Sequence, residues 1–163
     1  MALDIAGLTK ICKQRDWTIG LAESCTGGLL SAWIAQEPGV SSLFRGSVVS
    51  YARDLKIDIL KVPRSLILAL GEVSVPVALE MARGAREVLS CDWTVSITGI
   101  AGPTGGSKEK PVGTVCFAVV GPGFEETAQK LFVSKAAGAA EARQDIQRQA
   151  ALFAFDLLLT AMR

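Results

Sequence analysis

No histidine occurs among the 163 residues. That absence removes the commonest general base, the Ser-His-Asp triad and most catalytic zinc sites together. A hydrolase built on this sequence therefore needs an unusual base. Excess charge of one sign is missing as well: 17 Lys and Arg stand against 16 Asp and Glu. No global field favours nucleic acid or an anionic membrane, and neither a basic stripe nor interleaved aromatics marks a nucleic-acid surface. Any anionic ligand needs a local pocket. No stretch approaches the ~18 apolar residues of a membrane span. Residues 1–9 mix Asp4 with short apolar runs and carry no leader-like pattern. The four cysteines, Cys12, Cys25, Cys91 and Cys116, form no Cys-x-x-Cys pair, which argues against a zinc knuckle or a dithiol redox motif. They read as reduced thiols of a soluble, cytoplasmic chain with no membrane partner.

What is present is enough for one domain: half of the residues are hydrophobic, and this length suits a single core. Apolar spacing predicts helices over 3–15, 26–36 and 54–60, a helix that starts at Ser74 with Pro76 in its first turn and runs to 89, and a long amphipathic helix over 139–162. β-rich segments at 17–22, 43–51 and 92–98 read as strands, and 113–120 with 125–133 read as a hairpin around Gly121-Pro122-Gly123. Strands and helices interleave until the hairpin adds antiparallel pairing. The expectation is a three-layer α/β/α sandwich on a mixed sheet, without an internal repeat or a linker to a second domain.

Four segments carry groups suited to chemistry. Glu23-Ser24-Cys25-Thr26-Gly27-Gly28 puts a hydroxyl and a thiol where a strand ends and helix amides begin, a position that favours developing negative charge. It also reads as a plain helix cap with glycines for a tight turn. Lacking histidine, a serine nucleophile needs another proton acceptor, and a lysine with a lowered pKa is one. Lys56 is the candidate, although most lysines are simply solvated. The loop 99–111 follows a strand and is rich in glycine, so it can wrap a ligand with backbone amides or be a flexible surface loop; its spacing matches neither dinucleotide nor P-loop fingerprints. Arg143 and Arg148 on the last helix can grip phosphate or form a solvated face. Cys25 is either an activated thiolate or small packing material.

Taken together, Ala22-Glu23-Ser24-Cys25-Thr26-Gly27-Gly28, then Val48-Val49-Ser50-Tyr51 with Lys56, then Thr98-Gly99-Ile100-Ala101-Gly102-Pro103, then Lys110-Pro111-Val112-Gly113-Thr114-Val115 resemble the CinA C-terminal domain, also called the nicotinamide-nucleotide amidase family. Order and spacing agree over nearly the whole chain. The resemblance implies hydrolysis of nicotinamide mononucleotide to nicotinic acid mononucleotide and ammonia, in pyridine-nucleotide salvage, with no metal and no organic cofactor. By the family's pattern Ser24 attacks the carboxamide carbon, Lys56 is the base, Tyr51 supports the proton network, amides near Thr26 and Gly27 hold the oxyanion, and Cys25 counts among the substrate-binding residues. Thr98, Gly99 and Gly102 then contact the nucleotide and Arg143 its phosphate, with Arg15 a further candidate of that kind.

The sequence also departs from the pattern. Glu141-Ala142 stands where a Gly-Asp pair is expected, Gln147 where an arginine is common, and Arg53 where an Asn is common. These changes bear on phosphate recognition more than on the chemical step. Family members are often fused behind a larger N-terminal domain tied to competence or damage, and this chain resembles the stand-alone form. The competing readings are a silent nucleotide-binding module, an interaction protein, and an amidase that uses Cys25 as nucleophile. Family resemblance and apolar composition together point to a homo-oligomer.

Overall fold

The computed structural model describes residues 3–163, so the first two positions of the N-terminal stretch lie outside it. The chain runs α1 (Ile5–Arg15), β1 (Ile19–Glu23), α2 (Leu29–Ala35), β2 (Phe44–Val49), α3 (Arg53–Asp58), α4 (Arg64–Leu70), α5 (Val75–Leu89), β3 (Trp93–Gly99), β4 (Thr114–Gly121), β5 (Phe124–Leu131) and α6 (Ala139–Ala161). The strands make one mixed sheet in the order β2-β1-β3-β4-β5. Its first three strands are parallel, and β4 and β5 continue it antiparallel. No helix among the described residues is long and apolar enough to cross a membrane.

Alternation along each strand sends neighbouring side chains to opposite faces, and the two faces here have different chemistry. Ile19 and Leu21 of β1, Val95 and Ile97 of β3, and Val115, Phe117 and Val119 of β4 pack with Leu8 of α1, Leu30 of α2, and Ala154, Phe155 and Leu158 of α6 in one large-residue core. The opposite face is small and polar. Ala118 meets Ala78 and Ala82 of α5 there, while Thr94 Oγ1 and Ser96 Oγ donate to the Ala82 and Ala78 carbonyls at 2.9 and 2.6 Å. Gly84 lets α5 lie against the chain after α3, since a Cβ there would collide with the Leu60 carbonyl. The expected three layers are thus two helical layers around a mixed sheet.

Three departures from the sequence reading shape the site. The segment after β1 stays a turn for three more residues before α2 begins, because Gly27 and Gly28 hold φ of 62° and 96°, values that suit glycine and not a right-handed helix. β2 ends early, at Val49, where Ser50 N–H still bonds the Glu23 carbonyl at 2.8 Å but the Ser50 carbonyl turns away to Lys56. Residues 64–70 form α4 behind Pro63, a helix too short to show an apolar period. Ser74 precedes α5 directly, close to where the sequence starts that helix, and its hydroxyl donates back to the Gly71 carbonyl at 3.2 Å.

Candidate active site

In a sheet of this kind a ligand crevice forms beyond the carboxyl ends of parallel strands where their connections part. β1 and β3 are such a pair, since the chain leaves β1 towards β2 and leaves β3 towards β4 on the other side. A cavity of about 240 Å³ opens at this point, lined by Ser24 and Cys25 after β1, Thr98 to Gly102 at the end of β3, Tyr51, Glu72 and Arg143.

Ser24 is held by its own amide, which donates to the Ile97 carbonyl at 3.0 Å. Its Oγ lies 3.1 Å from Nζ of Lys56. Lys56 projects from α3 and is 0% exposed. Its amine donates to the Ser50 carbonyl at 2.7 Å and approaches the Tyr51 carbonyl at 3.4 Å. The Glu72 carboxylate stands 3.6 Å away. Burial pushes the Lys56 amine below the ordinary lysine range and Glu72 pulls the other way, with burial the larger influence. An amine so placed is poised to take the proton of the Ser24 hydroxyl.

Cys25 lines the same cavity, yet burial pushes its thiol up to about 12. A thiolate is therefore scarce at neutral pH, which weakens it as a nucleophile. Its carbonyl accepts a 2.7 Å bond from Gln147 Nε2, so Gln147, read above only as a departure, ties α6 to the turn that carries Ser24.

The amides expected to hold an oxyanion divide. The N–H of Gly27 is committed to the Ser24 carbonyl at 3.0 Å. Thr26 is buried, with its hydroxyl donating to the Glu23 carboxylate at 2.7 Å, and neither residue lines the cavity. Glu23 also accepts from the N–H groups of Gly28, Leu30 and Ser31 and from the Ser31 hydroxyl. A carboxylate of the chain itself thus occupies the start of α2, where the sequence suggested an open anion site. The amides at this turn with no intramolecular acceptor among the described residues are those of Cys25 and Thr26.

Tyr51 and Arg143 meet across the cavity mouth. Nη2 of Arg143 donates to the Tyr51 hydroxyl at 2.7 Å and Nη1 to the Gly102 carbonyl at 2.5 Å. It is the Tyr51 carbonyl, not its hydroxyl, that faces Lys56. Thr98 lines the wall but spends its hydroxyl on the Glu72 carbonyl at 2.9 Å. Two arginines fall elsewhere. Arg15 ends α1, which leads into the opposite end of β1 from Ser24, and its guanidinium lies 5.2 Å above the Trp17 ring; the reading of Arg15 as a nucleotide ligand is corrected on that ground. Arg148 sits with Leu3, Trp33 and Leu152.

Sequence reasoning missed Glu72, which lines the cavity beside Lys56, and gave Glu23 no role. Among the described residues no group of three or more His, Cys, Asp or Glu side chains is placed to hold a metal ion.

Residues 5–162 match the family model of the CinA C-terminal domain. A CinA-like protein of Fervidobacterium nodosum is 44% identical over 146 residues, covering 89% of this chain and 34% of that protein. A CinA-like protein of an Anaeromyxobacter species is 45% identical over 145 residues, again 89% of this chain and 34% of that protein. The chain thus spans about a third of the length of these curated relatives. Among solved structures, a competence/damage-inducible protein from Agrobacterium tumefaciens superposes with a TM-score of 0.89 at 30% identity, covering 100% of both chains. The competence or damage-inducible protein from Enterobacter asburiae gives 0.88 at 31% identity, with 98% of this chain and 96% of that one covered. A matched model over nearly the full length, close relatives and a shared mixed sheet agree: this chain belongs to the CinA C-terminal domain family.

Proposed function

We propose that this chain is an amidohydrolase that converts nicotinamide mononucleotide to nicotinic acid mononucleotide and ammonia through a Ser24 nucleophile and a Lys56 base. The observation that carries the reading is the fully buried Lys56 amine 3.1 Å from Ser24 Oγ at a cavity wall, in a chain with no histidine.

In the first half-reaction Ser24 Oγ bonds to the carboxamide carbon as its proton passes to Lys56 Nζ. The oxyanion takes the unshared amide of Cys25, which lines the cavity. Collapse breaks the carbon–nitrogen bond, and Lys56 returns the proton to the leaving nitrogen, releasing ammonia. In the second half-reaction water attacks the ester, Lys56 accepts its proton, and Ser24 leaves as the hydroxyl. Lowered basicity helps twice, since a neutral amine must exist at working pH and its conjugate acid must give the proton back.

Arg143 at the mouth suits the nucleotide phosphate, with Tyr51 holding the guanidinium. Thr98, Gly99 and Gly102 form the wall beside the nucleotide. The same reading sets the reaction in the cytoplasm, in a homo-oligomer that needs no metal or organic cofactor.

Purified protein incubated with nicotinamide mononucleotide in the presence of a chelator tests this. Release of ammonia and nicotinic acid mononucleotide in equal amounts is the expected result. A folded protein that binds the nucleotide and releases nothing would move a silent binding module to first place.

A further inference from the structure

A carboxylate beside a general base is a liability if it fixes a proton there. We propose that Arg53 is a positioning residue that holds the Glu72 carboxylate in a neutralised pair, so that Glu72 orients Lys56 without keeping it protonated. The inference concerns the electrostatics of the site and draws on the serine–lysine reading only for its consequence in catalysis.

Glu72 is pinned in place by its backbone. The segment between α4 and α5 is tied by Thr98 Oγ1 to the Glu72 carbonyl at 2.9 Å. Lys110 Nζ donates to the Leu70 and Val73 carbonyls, both at 2.7 Å. The carboxylate is shared by two cations. Its Oε1 accepts from Arg53 Nε at 2.9 Å and its Oε2 lies 3.6 Å from Lys56 Nζ. Arg53 and Lys56 are three residues apart on α3, a spacing that puts both on one helix face, and they engage different oxygens of the same group.

The two cations differ in setting. Lys56 is fully buried, whereas the Arg53 side chain is 54% exposed, so Arg53 keeps its charge at low cost while Lys56 does not. Glu72 favours the ammonium form of Lys56 and Arg53 opposes it. The other ionisable group turned towards Lys56 is Cys25, whose thiol is held neutral by burial. Tyr51 and Arg143 bond each other at the mouth. Removing Arg53 leaves Lys56 as the one cation within ion-pair distance of the Glu72 carboxylate among the described residues, which strengthens their pairing. Removing the Glu72 charge takes away the group that favours protonation.

The test is the titration of the Lys56 side chain itself, followed by NMR of protein with isotope-labelled lysine and assigned through Lys56→Met. Arg53→Gln is expected to move the midpoint up and Glu72→Gln to move it down, each by roughly one pH unit. Arg53→Lys, which keeps the charge, is expected to stay near the parent. High salt weakens the exposed Arg53 partner and is expected to shift the parent towards the Arg53→Gln value. In the deamidation assay the acidic limb of kcat/KM follows the same order. Midpoints that stay fixed in both Gln variants, or move in the same direction, overturn the proposal. Because the titration needs no turnover, a chain inactive on the nucleotide whose Lys56 midpoint still moves apart in the two variants would refute the deamidase reading and leave this one standing.

Discussion

Two side chains on either side of Ser24, Glu23 next to it in the chain and Lys56 next to it in space, are completely buried, and they are treated in opposite ways. Glu23 accepts hydrogen bonds from Gly28, Leu30 and Ser31 amides and from the Thr26 and Ser31 hydroxyls. Every one of these donors at the start of α2 points at the same carboxylate. Lys56 meets a backbone carbonyl at 2.7 Å, a serine hydroxyl at 3.1 Å and a carboxylate at 3.6 Å that is shared with Arg53. Burial dominates there and favours the neutral amine. A buried charge met by a full set of partners is architecture. One that is held short of them is free to change its protonation, which is what a base does.

The largest effect should come from breaking the satisfied side of this contrast. Glu23→Ala orphans three backbone N–H groups in a partly buried turn and leaves a cavity where a fully buried side chain stood, at a cost of about 3–5 kcal/mol. Thermal unfolding should then show a midpoint roughly 10 °C lower. Lys56→Met is the matching change on the other side. Turnover should fall by about 10²–10⁴-fold, while the thermal midpoint holds or rises because a costly buried amine has been replaced by a thioether of similar length.

Acidity separates the two residues further. The folded Lys56 pKa is depressed, so between that value and the ordinary lysine pKa the unfolded chain binds the extra proton and stability rises with pH. Below the folded pKa both states are protonated and the folded state carries the full cost of a buried ammonium. A pH series of thermal midpoints should therefore climb more steeply for the parent than for Lys56→Met, and kcat/KM should rise through the Lys56 pKa. Thr98→Val, which frees the Glu72 segment from one hydrogen bond, should cost about 1 kcal/mol and lower turnover less than Lys56→Met does. Arg15→Ala is the control at the small end: stability should change by no more than about 0.5 kcal/mol, with the nucleotide KM unchanged.

Much of the architecture was open to reading because its signals are periodic. The β-rich run at 17–22, the helices interleaved with the strands and the hairpin around Gly121-Pro122-Gly123 led to the mixed sheet and placed Ser24 at a strand end. What stayed hidden depends on distance through space. Lys56 looks like any helix lysine until Ser50 turns its carbonyl inward; the missing histidine made it a candidate and the family resemblance raised it above a solvated lysine. Glu72 has no local mark at all, since its meaning lies in a contact with a residue sixteen positions earlier. Glu23 received no role because the segment was read either as a plain helix cap or as an open anion site, and a carboxylate ahead of a turn carries no mark of the amides it meets. Arg15 was chosen for its residue type, and connectivity puts it at the wrong end of β1.

The central claim is that the Ser24 hydroxyl, and not the neighbouring Cys25 thiol, attacks the amide. Turnover of nicotinamide mononucleotide by Ser24→Ala and Cys25→Ala, each checked for an intact fold, tests it most directly. A Ser24 nucleophile requires that the first variant release no ammonia above background and that the second keep most of the parent rate. Substantial turnover by Ser24→Ala, or its loss in a well-folded Cys25→Ala, would contradict it.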